Sequence, residues 1–93
     1  MREVVIDTET TGLSYKNGDR IIEVGCVELV NHVTTNNFLQ FYCKVDKQIS
    51  ESAQKITGIT NKFLNKEKSF GENCDNLLKF IDKDPLIIHN ADF

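Results

Sequence analysis

The sequence predicts an α/β fold: a mixed sheet whose third and fourth strands are joined by one main helix. Three observations predict it. An apolar run, Val4-Val5-Ile6, ends in two carboxylates; three more β-rich segments follow; and between the last two lies one amphipathic helix with a complete N-terminal signature. Short turns join antiparallel neighbours, whereas a helical crossover returns the chain parallel to an earlier strand. The order strand, strand, strand, helix, strand therefore fits a sheet in which the fourth strand runs parallel to the first.

Ninety-three residues bound one small domain, and a chain of this size has little surplus of core burial over conformational entropy. With 40% apolar and 27% charged residues it reads as an ordinary globular chain, neither disordered nor coiled coil. No apolar run approaches the roughly 18 residues needed to span a membrane. Met1-Arg2-Glu3 runs directly into the first strand, which leaves no room for a signal peptide. A cytoplasmic protein without membrane association is expected. A net charge of -3 argues against a broad basic surface for gripping nucleic acid. It does not exclude phosphate chemistry in which metal ions carry the positive charge. Cys26, Cys43 and Cys74 are odd in number, widely spaced and lack a C-x-x-C pattern, so they read as reduced, mostly buried small apolar residues.

In the first strand, Val4, Val5 and Ile6 have no polar partner among them, as expected for a central strand buried on both sides. Thr10, Thr11 and Gly12 turn the chain, with Gly12 giving conformational freedom where a backbone or a substrate comes close. Ser14 to Asp19 is a polar loop with Asn17 and Gly18 as turn residues. Ile21, Ile22, Val24, Cys26, Val27, Leu29 and Val30 form a second strand. Gly25 within it marks either a close approach or a weak spot. Asn31 to Asn37 reads as a hairpin loop, with His32 solvated. A third, half-exposed edge strand runs from Phe38 to Val45, its apolar residues alternating with Gln40, Tyr42 and Lys44.

Ser50 can cap a short helix through Lys55 or Ile56, with Gly58 just past its end, and Thr60 can cap a turn carrying Phe63 and Leu64. Ser69-Phe70-Gly71-Glu72 is a capping box. Phe70, Cys74, Leu77, Leu78 and Ile81 then recur along one face, with Asn73, Asp75, Asn76, Lys79 and Asp82 solvated opposite. Asp84-Pro85 ends this helix. Leu86 to Ile88 form a short, buried fourth strand.

The chemistry concentrates at the end of the first strand. Alternation along a strand puts Asp7 and Glu9 on one face roughly 6 to 7 Å apart, a spacing that lets two carboxylates share a metal cluster. An unpaired buried carboxylate costs several kcal/mol, and a divalent cation removes that cost. Taken alone, a D-x-E pair is also compatible with a loop aspartate and a solvated glutamate.

The motif is longer than D-x-E. Asp7-Thr8-Glu9-Thr10-Thr11-Gly12-Leu13 resembles the first motif of the DEDD 3′ to 5′ exonucleases, in the branch of the proofreading epsilon subunit of bacterial DNA polymerase III. Leu86-Ile87-Ile88-His89-Asn90-Ala91-Asp92-Phe93 resembles the second motif, a strand followed by His-Asn-Ala-x-Phe-Asp. Arg20 to Gly25 and Ile56 to Thr60 also fall where the family has similar segments. The resemblance covers the whole chain. It stops at Phe93, before the aspartate of the second motif, and the third motif has no counterpart, so an amino-terminal portion of one exonuclease domain is expected over residues 1–93.

The resemblance implies a ribonuclease H-like sheet in the order 3-2-1-4, which brings Asp7 and Glu9 near His89 and Asn90. It implies that Asp7 bridges two Mg²⁺ (or Mn²⁺) ions and that Glu9 holds the one nearer the attacking water. It places Thr8, Thr10, Thr11, Gly12, Thr57, Gly58, His89 and Asn90 on the substrate side. Thr57 and Gly58 are equally readable as helix-cap chemistry. The implied partners are the 3′ end of DNA and replicative polymerase subunits. With two of the family's carboxylates present, the chain alone is expected to bind metal weakly and to have little or no nuclease activity. A non-catalytic interaction module and an RNA-trimming relative stand as alternatives.

Overall fold

The computed structural model describes residues 1–88. Four strands, β1 (Arg2–Thr10), β2 (Ile21–Val30), β3 (Val33–Tyr42) and β4 (Leu86–Ile88), form one sheet in the order β3-β2-β1-β4. The helices α1 (Glu51–Thr57), α2 (Asn61–Leu64) and α3 (Phe70–Ile81) fall between β3 and β4. β1 pairs antiparallel with β2 and parallel with β4, and β3 pairs antiparallel with β2 at the sheet edge.

The two faces of the sheet differ. Val4, Ile6, Val24 and Cys26 point to one face, where Leu77, Phe80 and Ile81 of α3 pack on them together with Leu39 and Phe41. The opposite face presents a shallow apolar depression that includes Val5, Val27 and Phe38. Val5 is therefore half-buried, and β1 is covered on one side rather than on both. A second cluster, Ile22, Ile49, Ile59 and Leu64, ties the segment carrying α1 and α2 to the sheet.

Local chemistry explains the element ends. Ser69 accepts the Glu72 N–H while Glu72 accepts the Ser69 N–H, completing the capping box of α3. The other end of α3 is held by Arg2, which donates to the carbonyls of Phe80 and Ile81 and pairs with Glu28 and Asp84. Gly58 ends α1 at φ 75°, a left-handed conformation that suits glycine. Cys26 and Cys43 are buried, Cys74 is half-buried, and all three are free. Burial pushes the Cys43 thiol up to about 11.

Several expectations need correction. The hairpin loop is only Asn31-His32, with φ of 52° and 67°, so β3 begins at Val33 and ends at Tyr42. Its polar first half is exposed and carries no alternation to betray it. His32 is solvated, 84% exposed, with Nδ1 3.1 Å from Glu3. The 14–19 segment contains a 3-10 turn over Tyr15–Asn17, closed by Gly18 at φ 93°. Leu78 is 63% exposed, and Phe80 packs on the core instead. β4 is not buried: its residues are 41 to 48% exposed, because β4 pairs only with β1 among the described residues. Gly25 marks no close approach, since an added Cβ would meet Asp7 O at an ordinary 4.0 Å.

Candidate active site

β1 delivers its two acids by simple alternation. Asp7 lies opposite Gly25 and Glu9 opposite Glu23, so both leave the face that α3 does not cover. Asp7 is exposed and its Oδ1 accepts the Thr8 N–H at 3.0 Å. Glu9 is half-buried. Both line a cleft of about 580 Å³ whose walls are Asp7 to Thr10 on one side and Ala53, Ile56 and Thr57 of α1 on the other. Among the described residues no lysine or arginine lines it.

α1 is set against β1 by its own first turn. Ser50 accepts the Ala53 N–H and donates to the Thr11 carbonyl at 3.4 Å, joining the helix cap to the β1 exit. Asn61 accepts the Ile49 N–H and donates to the Lys47 carbonyl, which fixes the preceding loop.

The rim of the cleft is built around a residue that the sequence reading treated as part of a polar loop. Asp19 accepts from the Thr11 hydroxyl at 2.8 Å and from the Ser14 N–H at 3.1 Å. The same Thr11 hydroxyl accepts the Arg20 N–H, and Thr11 N–H donates to the Arg20 carbonyl. The Ser14 N–H, then the Thr11 hydroxyl, hold the Asp19 carboxyl below the usual carboxylate range against the opposing effect of desolvation. Gly12 belongs to this arrangement. A Cβ there would stand 2.6 Å from Asp19 Oδ2 and 2.7 Å from its Cγ, so glycine is required by the carboxylate and not by a special backbone conformation. The signal was a glycine facing an acid seven residues later, which sequence spacing alone does not pair.

Of the expected site residues, Asp7, Thr8, Glu9, Thr10, Gly12 and Thr57 come together in the cleft. Thr11 is 1% exposed behind the rim. Thr57 uses its hydroxyl to accept the Ile59 N–H and to donate to the Ala53 carbonyl. Gly58 caps α1 and does not line the cleft. His89 and Asn90 lie outside the described residues; β4 is registered so that Ile88 stands beside Ile6, one residue before Asp7. Ser52 and Ile56 also line the cleft; Ile56 opens a segment that the resemblance marks, but neither residue was given a site role from the sequence.

The family model for exonucleases matches residues 4–93. This chain belongs to the exonuclease family. It is 43% identical over 93 residues to the DNA polymerase III subunit epsilon of Rickettsia prowazekii, covering all of this chain and 41% of the relative. The corresponding subunit of Escherichia coli K12 is 38% identical over 96 residues, covering 99% of this chain and 40% of the relative. The chain thus spans about 40% of the length of these curated relatives and is of the epsilon type along that span. E. coli exonuclease I, in its metal-free complex with single-stranded DNA, aligns with a TM-score of 0.76 at 20% identity, over 94% of this chain and 20% of that one. Exonuclease X in complex with 5′-overhanging duplex DNA gives 0.72 at 23% identity, over 98% and 50%. These likenesses establish the ribonuclease H-like exonuclease fold.

Members of this exonuclease fold generally depend on divalent metal. The donor set here is two carboxylates on one strand face, the oxygen chemistry that such cations take. Among the described residues no group of three or more His, Cys, Asp or Glu converges, so Asp7 and Glu9 fit as part of a coordination shell.

Proposed function

We propose that Asp7 and Glu9 are the metal-holding pair of a 3′ to 5′ exonuclease site of the DNA polymerase III epsilon type, which trims the 3′ end of DNA in proofreading beside a replicative polymerase. The observation that carries this reading is the cleft itself: two carboxylates leaving one strand face, opposite α1. A phosphodiester placed beside two carboxylates is favoured by added positive charge. Bound Mg²⁺ or Mn²⁺ supplies that charge and an activated water.

The chain's own residues do the positioning. Asp7 and Glu9 hold the metal, Thr8, Thr10 and Gly12 form the wall beside the terminal nucleotide, and Thr57 faces them from α1. Thr11 acts from behind the rim by fixing Asp19. Two carboxylates among the described residues are a partial shell for an ion that takes six oxygens, and the expectation for the chain alone is weak metal binding with little or no turnover.

The test is release of mononucleotides from a 3′-labelled single-stranded DNA oligonucleotide, with the full chain in excess, in Mg²⁺ or Mn²⁺, beside Asp7→Ala and beside an RNA oligonucleotide. Slow, metal-dependent release that is lost in Asp7→Ala and is faster on DNA supports the reading. Release that is unchanged in Asp7→Ala contradicts it. Equal or faster release from RNA favours the RNA-trimming alternative. No release from either protein, with no metal bound near Asp7, favours a non-catalytic module, the reading that the two-carboxylate set supports.

A further inference from the structure

The connector between β1 and β2 has two sides. Gly12 and Leu13 line the acidic cleft, whereas Tyr15, Gly18 and Arg20 line a second cleft of about 630 Å³. Lys44 and Lys47 close it from the segment after β3, and Ser69, Phe70 and Gly71 from the start of α3. Three cations and one acid, Asp46, line this space in a chain of net charge -3. Such a concentration against the overall sign attracts an anion.

The cations are held differently. Arg20 lies over the Tyr15 ring at 4.1 Å, and its Nη1 donates to the Tyr15 and Asp19 carbonyls. Its Nε and Nη2 have no partner among the described residues. Lys47 donates to the Asn17 carbonyl and stands 3.9 Å from Asp19, so part of its charge is answered within the fold. Lys44 is exposed, and among the described residues its ammonium has no partner. The Glu72 carboxylate in the first turn of α3 is bound back to the Ser69 N–H and does not line the cleft. Tyr15 and Phe70 add aromatic surface beside these charges.

We infer that this cleft binds the phosphodiester backbone of single-stranded nucleic acid, with Lys44 and Arg20 as the phosphate contacts. Cations interleaved with aromatic rings suit a sequence-independent strand contact, because phosphates take the charge while bases or sugars take the apolar surface. The connector shared by both clefts makes this a holding site for the strand outside the acidic cleft. The inference rests on the nuclease reading only for the identity of the anion.

The test is fluorescence anisotropy of a labelled oligothymidylate of about twelve nucleotides, titrated with the full chain in EDTA so that the acidic cleft holds no metal. Two phosphate contacts on a single strand give a log–log salt slope of about -1.4, or about 7-fold weaker binding between 50 and 200 mM salt. Lys44→Ala should lower the slope by about 0.7, leaving about a 3-fold loss over the same range, and Lys44→Arg should restore it. Unchanged binding in Lys44→Ala overturns the inference. So does an equal loss in Lys83→Ala, an exposed lysine outside the cleft, or equal competition by polyglutamate or by inorganic phosphate at the same charge concentration. This readout needs no metal, so it can fail or succeed independently of metal-dependent nucleotide release.

Discussion

The acidic and basic clefts on either side of the β1–β2 connector are of similar size but opposite chemistry. Among the described residues the first presents Asp7 and Glu9 with no lysine or arginine, and the second presents Arg20, Lys44 and Lys47 with one acid. On the proposed reading, a cleft that receives a phosphate beside two carboxylates depends on an imported cation. One lined by fixed cations does not. The difference separates a place for chemistry from a place for holding, and the connector, pinned by Thr11, Gly12 and Asp19, sets one relative to the other.

The strongest way to break this contrast is to remove the acid. Asp7→Asn keeps the size of the side chain and removes its charge, and metal-dependent nucleotide release should fall by about 100-fold or more. Metal-free strand binding reports on the other cleft and serves as the internal reference. Next in size is the connector. Gly12→Ala drives a Cβ into a carboxylate held by Thr11 and Ser14, and should cost about 1–3 kcal/mol. In a domain of this size each kcal/mol lowers the thermal midpoint by about 4–8 °C. Thr11→Val leaves the Arg20 N–H and one Asp19 oxygen without their partner, and should cost about 1–2 kcal/mol by the same measurement.

The smallest effect is on pH dependence. Asp19 is held below the usual carboxylate range by the Ser14 N–H and Thr11, Glu28 by Arg2 with Thr35 and Asn37, and Glu72 by Ser69. A carboxyl lowered in the folded state binds fewer protons there than in the unfolded chain. Its contribution is therefore present above about pH 4 and is lost as pH falls through the folded value. The thermal midpoint should drop on acidification below about pH 4, and Asp19→Asn should make that drop shallower.

How much of this was legible in the sequence depended on whether a residue's role was local. Ser69 and Glu72 announce α3 because capping is a contact between residues three apart. Asp7 and Glu9 share a face because alternation alone dictates it. The start of β3 was hidden, since Val33 to Asn37 is exposed except for the half-buried Thr35, carries no apolar period and follows a two-residue turn made by an asparagine and a histidine rather than by glycine. Leu86 to Ile88 look like a buried strand, but burial is decided by what covers them, and among the described residues β4 pairs only with β1 and stays exposed. Asp19 escaped notice for the same reason: its importance lies in Gly12, Thr11 and Ser14, which the turn brings to it. Ser52 and Ile56 enter the cleft only because α1 docks beside β1.

The central claim is that Asp7 and Glu9 together hold a divalent cation. Titrating Mn²⁺ into isotope-labelled full chain and following paramagnetic broadening of the amide resonances tests it directly. The account predicts that Thr8 and Thr10 broaden first and that Asp7→Asn abolishes this. Broadening centred elsewhere, or broadening around Thr8 that persists in Asp7→Asn, would contradict it.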